Sequence, residues 1–374
     1  MHRRNHFKPG TGGAFVALLS FFASLSSCDV AFPLIAPHGS QMLVSIDGRF
    51  VNMVSTELHA AWTKNGFADS DAIREITRQF YASFRDEAEF LVITTPDPLL
   101  GGSSLRVFND VTGTGLARID RRPEFGAKDS LAQIISLMGR NELTIRTAIH
   151  EIGHRWANRL KGDIALASPT TVAVGHWGFC DVNGPLGGFA RDSLESLGNN
   201  LYRGAVAPAG YAVNTVSYAP LELYLMGLMP AEEVPDVTVA VNPVVTSQDF
   251  GTTTFQADEL RVVSIDRIIE QNGPRVPAFR DAPNEFSIAF IVLTPGILSI
   301  QDQHFYSRAI DFLTRAEPIT LMQVFKSVDE LTPVKLEQDA FEAAGLNRFQ
   351  NFQRATNGRG TLKLRYASDL RRLF

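Results

Sequence analysis

Cysteine is nearly absent from this sequence: Cys28 and Cys180 are the only two in 374 residues. Two thiols cannot build a disulfide framework, so stability has to come from core packing or a bound metal. Basic charge is in deficit as well, with 35 Lys and Arg against 40 Asp and Glu and a formal charge of −5. Neutralising a phosphate backbone takes clustered Lys and Arg, so no nucleic-acid partner is expected. The chain lacks a collagen-like glycine period, an internal repeat and a low-complexity tract. Beyond the first thirty residues it also lacks any apolar run approaching the roughly 20 residues that a membrane-spanning helix needs. At 45% hydrophobic and 20% charged, the sequence is too apolar to be disordered. What is left is a globular chain long enough to bury a sizeable core.

The N-terminus reads as an address. Arg3, Arg4 and Lys8 precede an apolar stretch at residues 14–25, AFVALLSFFASL, and no acidic residue comes before Asp29. That stretch is about 12 residues long, too short to span a bilayer and right for the core of a signal peptide. It closes on Leu25-Ser26-Ser27-Cys28, which resembles a bacterial lipobox. The resemblance implies that Cys28 is lipidated and becomes the first residue of the mature protein. Residues 1–27 are therefore expected to be a lipoprotein-type signal peptide, and residues 28–41 a tether. The protein is expected to be exported and lipid-anchored in the bacterial cell envelope, on its periplasmic or cell-surface side, with a membrane partner through that anchor. Loss of three positive charges takes the formal charge from −5 to about −8. Cys180 has no adjacent cation to lower its pKa, and reads as a buried structural residue.

The mature chain alternates between strand and helix signals. Asp47-Gly48 between apolar runs predicts a hairpin over residues 41–54. Helical spacing predicts a helix over 70–84, and residues 90–95 read as a buried strand stopped by Pro96 and Pro98. A further strand is expected over 104–108. Residues 141–160 read as the best helix, capped by Asn141, with Glu142 at the positive end of its dipole. A Gly-rich stretch at 175–188 reads as loop. Residues 220–228 read as a short helix entered at Pro220 and left at Gly227. After Pro230, Pro235 and Pro243, strands are expected near 237–245 and 287–293, and helices near 265–271 and 305–315. The class is α+β. Residues 42–234 are expected to form one domain, and residues 235–374 an α+β C-terminal extension.

Residues 147–156, TAIHEIGHRW, carry an HExxH motif within the strongest helical segment. Residues four apart lie on one helix face, so His150 and His154 project together, one turn apart. Two neutral imidazoles held in this way can grip one Zn²⁺ at about 2.0–2.1 Å. Glu151 is placed to take a proton from the attacking water as general base and return it to a leaving amine. Ile145, Ala148, Ile149, Ile152 and Trp156 supply the apolar surface that a buried active-site helix needs.

A helix, a strand, a Gly-rich stretch and then an HExxH helix resemble the zincin superfamily of zinc metallopeptidases, most strongly over about residues 70–230. The stretches Gly175-His176-Trp177-Gly178 and residues 220–227 (PLELYLMG) also look like segments of secreted bacterial zincin-like proteins. The resemblance implies a twisted mixed sheet over the HExxH helix, with an edge strand that binds extended substrate. The longer metzincin pattern is not met, because Ala157 and Leu160 stand where that pattern requires Gly and His.

The third zinc ligand has more than one candidate. His176 in its Gly-flanked loop leads, Glu222 is the alternative, and Glu195 reads as a solvated helix residue. Tyr224 is a candidate hydrogen-bond donor to the oxyanion of a tetrahedral intermediate. Met226 could form a hydrophobic floor beneath the metal, as the Met-turn does in metzincins. Asn158 could orient His154, while His59 and His304 read as surface or structural. The basic tail of Lys363, Arg365, Arg371 and Arg372 could touch anionic lipid. The expected function is that of an exported zinc-dependent metalloendopeptidase acting on peptide or protein substrates. Two alternatives stay open: a metal-dependent hydrolase of a non-peptide bond, and a non-catalytic surface binding module on the same scaffold.

Overall fold

The structure, a computed structural model, describes residues 34–35, 39–66, 70–168, 172, 174–211, 213–249, 251–325 and 345–372. Its main sheet is built from β1 (Leu34–Ile35), β2 (Gln41–Val44), β3 (Val51–Val54), β4 (Phe90–Thr94), β5 (Gly102–Arg106), β6 (Gln133–Leu137), β7 (Glu285–Thr294) and β8 (Thr361–Leu364). The path runs β1-β2-β3-β7-β4-β6-β5. The β2–β3 hairpin turns through Asp47-Gly48, where Gly48 takes φ 75°, a conformation that glycine adopts without strain. β7 is parallel to β3 and β4, and β4 is parallel to β6; β5 closes the edge antiparallel to β6. β8 continues the β3 flank of β7, pairing parallel with Glu285–Ile288 while β3 takes Ile291–Thr294.

Both faces of this sheet are covered, and the strand pleat shows how. Leu91, Ile93, Ile134, Ala289, Ile291 and Leu293 pack with Ile76, Phe80 and Phe84 in and beside α2 (Ser70–Ser83), the helix expected over 70–84, which follows the short α1 (Thr56–Ala61). Their alternating neighbours Phe90, Val92, Ile135, Ile288, Phe290 and Val292 face the other way. There they pack against α3 (Ala148–Gly153), α4 (Pro220–Met226) and α6 (Ile300–Thr314). Burial on both sides explains why β4 is apolar almost throughout, while β6 buries all five residues, Gln133 and Ser136 included. Between α4 and α6 lies α5 (Ile265–Asn272), as its spacing predicts. The class is mixed helix and strand around a mixed sheet.

Several expectations change here. Helix 141–160 is only six residues long, Ala148–Gly153, preceded by a 3₁₀ turn at Arg140–Leu143. Asn141 and Glu142 are buried, and Glu142 accepts the Gly101 amide instead of starting the helix. After Gly153 the Arg155 and Trp156 amides reach back only three residues, to Ile152 and Gly153, each at 3.1 Å, the Ala157 amide also bonds Gly153 O at 3.2 Å, and the Asn158 amide leaves for Gly175 O. Glu195 lies in an exposed strand, Glu195–Gly198, of a separate four-stranded antiparallel sheet. The boundary at 234/235 is no seam in the main sheet, because β7 from the later part is flanked by β3 and β4 from the earlier part. The expectations for residues 1–27 and for Cys28 lie outside the described residues. Of the tether, Leu34 and Ile35 add a strand antiparallel to β2. Among the described residues, no helix is long and apolar enough to cross a membrane.

Candidate metal centre

α3 starts without help from its own N-cap, because Thr147 makes no side-chain cap bond. Buried Asn214 supplies the cap instead: its Oδ1 accepts the Ile149 amide at 3.1 Å, and its Nδ2 donates to Thr144 O at 3.2 Å. Tyr218 donates its hydroxyl to Ile149 O at 2.5 Å. Glu142, also buried, joins the helix to the edge of the sheet. One of its oxygens accepts the Thr147 hydroxyl at 2.6 Å, and the other accepts the Gly101 amide at 3.0 Å, just before β5. Nothing in the local sequence signals the roles of Asn214 or Tyr218, since their partners lie more than a helix length away in the chain.

His150 on this short helix and His154 at its C-cap face one point, with Nε2 atoms 3.1 Å apart; His176 Nε2 lies 3.2 Å from that of His150. A tetrahedral shell with bonds of about 2.0–2.1 Å would separate its ligand atoms by roughly 3.3–3.4 Å. His150 Nδ1 lies 2.9 Å from Pro185 O, so it carries the proton there and leaves Nε2 as a lone pair. Burial first, and then the neighbouring His176, hold His150 down at about 4; burial, His150 and His176 hold His154 well below the ordinary imidazole value. Neutral imidazoles whose lone pairs converge at such distances fit a cation between them. His150, His154 and His176 are the group that could hold a metal ion among the described residues.

Glycine lets the neighbouring backbone come this close. Gly175 (φ 103°) passes His154, where a Cβ would stand 3.1 Å from its Cε1. Gly210 (φ 89°) passes His150, and a Cβ there would collide with the imidazole and lie 2.8 Å from Pro185 O. Asn158 does not orient His154. Its Nδ2 donates to His176 O at 3.1 Å and so fixes the loop that brings the third imidazole in.

The cavity around the cluster has a volume of about 300 Å³. It is walled by α3, by the Gly175–His176 loop and by the edge strand β5, which contributes Gly102, Ser103, Ser104 and Arg106. Gly102 packs so near the helix that a Cβ would meet Thr147 Oγ1 at 2.6 Å and Glu151 Oε1 at 2.8 Å. Burial pushes the Glu151 carboxyl up to about 8, opposed by a hydrogen bond from Ser104 and reinforced by Glu142. Arg106 and Arg159 also line this cavity. Burial, with Arg159 and Arg155 nearby, brings Arg106 down to about 10, still charged at neutral pH. A larger cavity of about 880 Å³ shares no residue with this one and has no histidine in its lining.

No family model, curated protein or solved structure matches this chain.

The other candidates go elsewhere. Glu222 is not at the cluster: it accepts Trp177 Nε1–H at 2.8 Å, the Leu186 amide at 3.2 Å and the Ala219 amide at 2.9 Å. Its carboxylate is used up in holding α4 against the loop after His176. Tyr224 is buried and accepts the Arg275 amide at 3.2 Å; neither it nor Met226 lines the cavity, and both belong to the core. Cys180 is fully buried, and burial pushes its thiol up to about 12, which removes it as a nucleophile. His59 pairs with Asp97 at 2.7 Å. In the basic tail, Lys363 pairs with Glu285 at 3.1 Å and Arg372 Nε donates to Phe84 O at 3.3 Å.

Proposed function

We propose that this protein is a zinc-dependent metalloendopeptidase of zincin type, exported and anchored by a lipid on Cys28. The observation that carries the reading is the convergence of three imidazoles, His150, His154 and His176, beside a buried Glu151 and an edge strand. Three protein ligands leave a coordination position open, as catalytic zinc sites require, whereas structural sites close with four. When bound, zinc would supply a Lewis acid for the scissile carbonyl and lower the pKa of a water.

The remaining work falls to the chain itself. β5 has one paired flank, on β6, and its other flank can hydrogen-bond an extended peptide. Gly102 keeps this strand against α3, so a peptide laid along it would run past Glu151. Glu151 takes a proton from the attacking water and returns it to the amine that leaves. A cation held by the three imidazoles would favour the ionised carboxylate that this first step needs, offsetting the effect of burial. The Tyr224 hydroxyl has no part in this scheme. Export and the lipid anchor are supported by the basic start, the short apolar run and Leu25-Ser26-Ser27-Cys28.

The test is Glu151→Gln compared with the wild type at equal zinc content. Peptide hydrolysis should fall by roughly 10²–10⁴-fold while zinc stoichiometry and melting curve hold. A fully active variant would refute the role given to Glu151.

A further inference from the structure

The cavity that holds the histidine cluster is unbalanced in charge. Its lining includes two guanidinium groups, Arg106 on β5 and Arg159 just beyond α3, against a single carboxylate, Glu151. Neither arginine forms an ion pair with a carboxylate among the described residues, whereas arginines such as Arg49, Arg122, Arg140 and Arg261 do. Arg106 is half-buried, and its Nε is buried without a hydrogen-bond partner; among the described residues its side chain makes one bond, a long one of 3.5 Å from a terminal nitrogen to His154 O. Arg159 is exposed at the rim. Two unpaired like charges in one cleft repel each other, and a metal would add more positive charge. Such an arrangement is stabilised by an incoming anion, and the planar fork of arginine matches a carboxylate.

Resting on the peptidase reading, we infer that this cleft selects peptides with a carboxylate beside the bond to be cut, bound by Arg106 and Arg159. The carboxylate has two sources, an acidic side chain or the free C-terminus of the substrate. β5 carries Arg106 two residues from Ser104, so the guanidinium points into the same cavity that the strand lines for substrate. The selectivity belongs to binding, and appears in KM more than in kcat.

The test uses the full zinc-loaded chain and short peptides paired Glu against Gln at each position around the cleavage point, with free or amidated C-termini. Wild type should favour the carboxylate-bearing member by about tenfold in kcat/KM. Arg159→Gln, which breaks no hydrogen bond of the described fold, should bring that ratio close to one. If Glu-for-Gln matters, the source is a side chain; if only amidation matters, it is the C-terminus. Calorimetric binding of the same pairs to Glu151→Gln separates this inference from the peptidase reading. Equal cleavage of both members, or a ratio unchanged in Arg159→Gln, overturns the inference and leaves the peptidase intact. Absence of cleavage, together with about tenfold tighter binding of the carboxylate member that Arg159→Gln abolishes, keeps the carboxylate site and removes the peptidase. Equal binding of both members overturns the inference.

Discussion

His176 carries the metal site's third position through its neighbours as much as through its own ring. Asn158 fixes its backbone, Trp177 anchors it to Glu222, and Gly175 allows the loop to pass His154. His176→Ala should therefore release zinc while Glu222→Gln retains it, both read as zinc per chain after dialysis. Gly210→Ala is expected to weaken zinc binding too, because the added carbon meets the His150 ring at a backbone φ of 89°; unchanged affinity would mean that the loop relaxes freely.

Glu222 should be visible in the pH dependence of stability instead. Burial raises it from 4.5 to about 7, against its three N–H donors. The folded protein then holds that proton more tightly than the unfolded chain does. The contribution is complete below the ordinary carboxylate value and is lost as pH rises through 7. Between those limits the loss is on the order of 3 kcal/mol. Denaturant melts across that range should show wild type losing stability relative to Glu222→Gln. Parallel curves would contradict the shift.

At the scale of elements, a six-residue helix carries the motif, and an isolated helix of that length does not persist in water. Its order is imported from Asn214, Tyr218 and Glu142. Removing the cap with Asn214→Ala should cost roughly 1–3 kcal/mol, measured by chemical denaturation, because it also leaves buried backbone groups unpaired. A change within error would mean that the helix start is held by packing alone. These supports explain why the sequence made the motif legible and the helix length illegible. HExxH is a local spacing, readable in five residues. Where a helix stops depends on whether Glu142 turns inward to Gly101 and whether the Asn158 amide reaches Gly175, which no local pattern contains. Glu222 misled for the same reason: a carboxylate in the first turn of a helix looks free until Trp177 and Leu186 are seen to use it. The strands β4 and β7 were legible because burial on both faces writes continuous apolar runs into the sequence. β6 is broken by Gln133 and Ser136 and carries no such run.

For the molecule as a whole, the β7 strand determines what can be cut away. It lies between β3 and β4 and brings β8 with it, so the main sheet is not complete before residue 364. A chain ending at residue 234 is expected to lose its cooperative thermal transition; a sharp melt from that fragment would show that the earlier part folds alone. The proline cluster after α4 suggested a boundary because it interrupts local structure, yet the chain returns through the centre of the sheet 285–294. Sequence composition records a break in local order, and strand pairing across more than two hundred residues leaves no such mark.

The architecture matters to the chemistry because the edge strand β5, the helix α3 and the His176 loop come from three separate segments that this sheet holds in register. X-ray absorption at the zinc edge on the zinc-loaded full chain examines their meeting point directly. The expected spectrum has three imidazole nitrogens at about 2.0–2.1 Å, with a fourth position left to solvent and one imidazole lost in His176→Ala. A closed shell of four protein ligands, or an unchanged spectrum in that variant, would contradict an open three-histidine site.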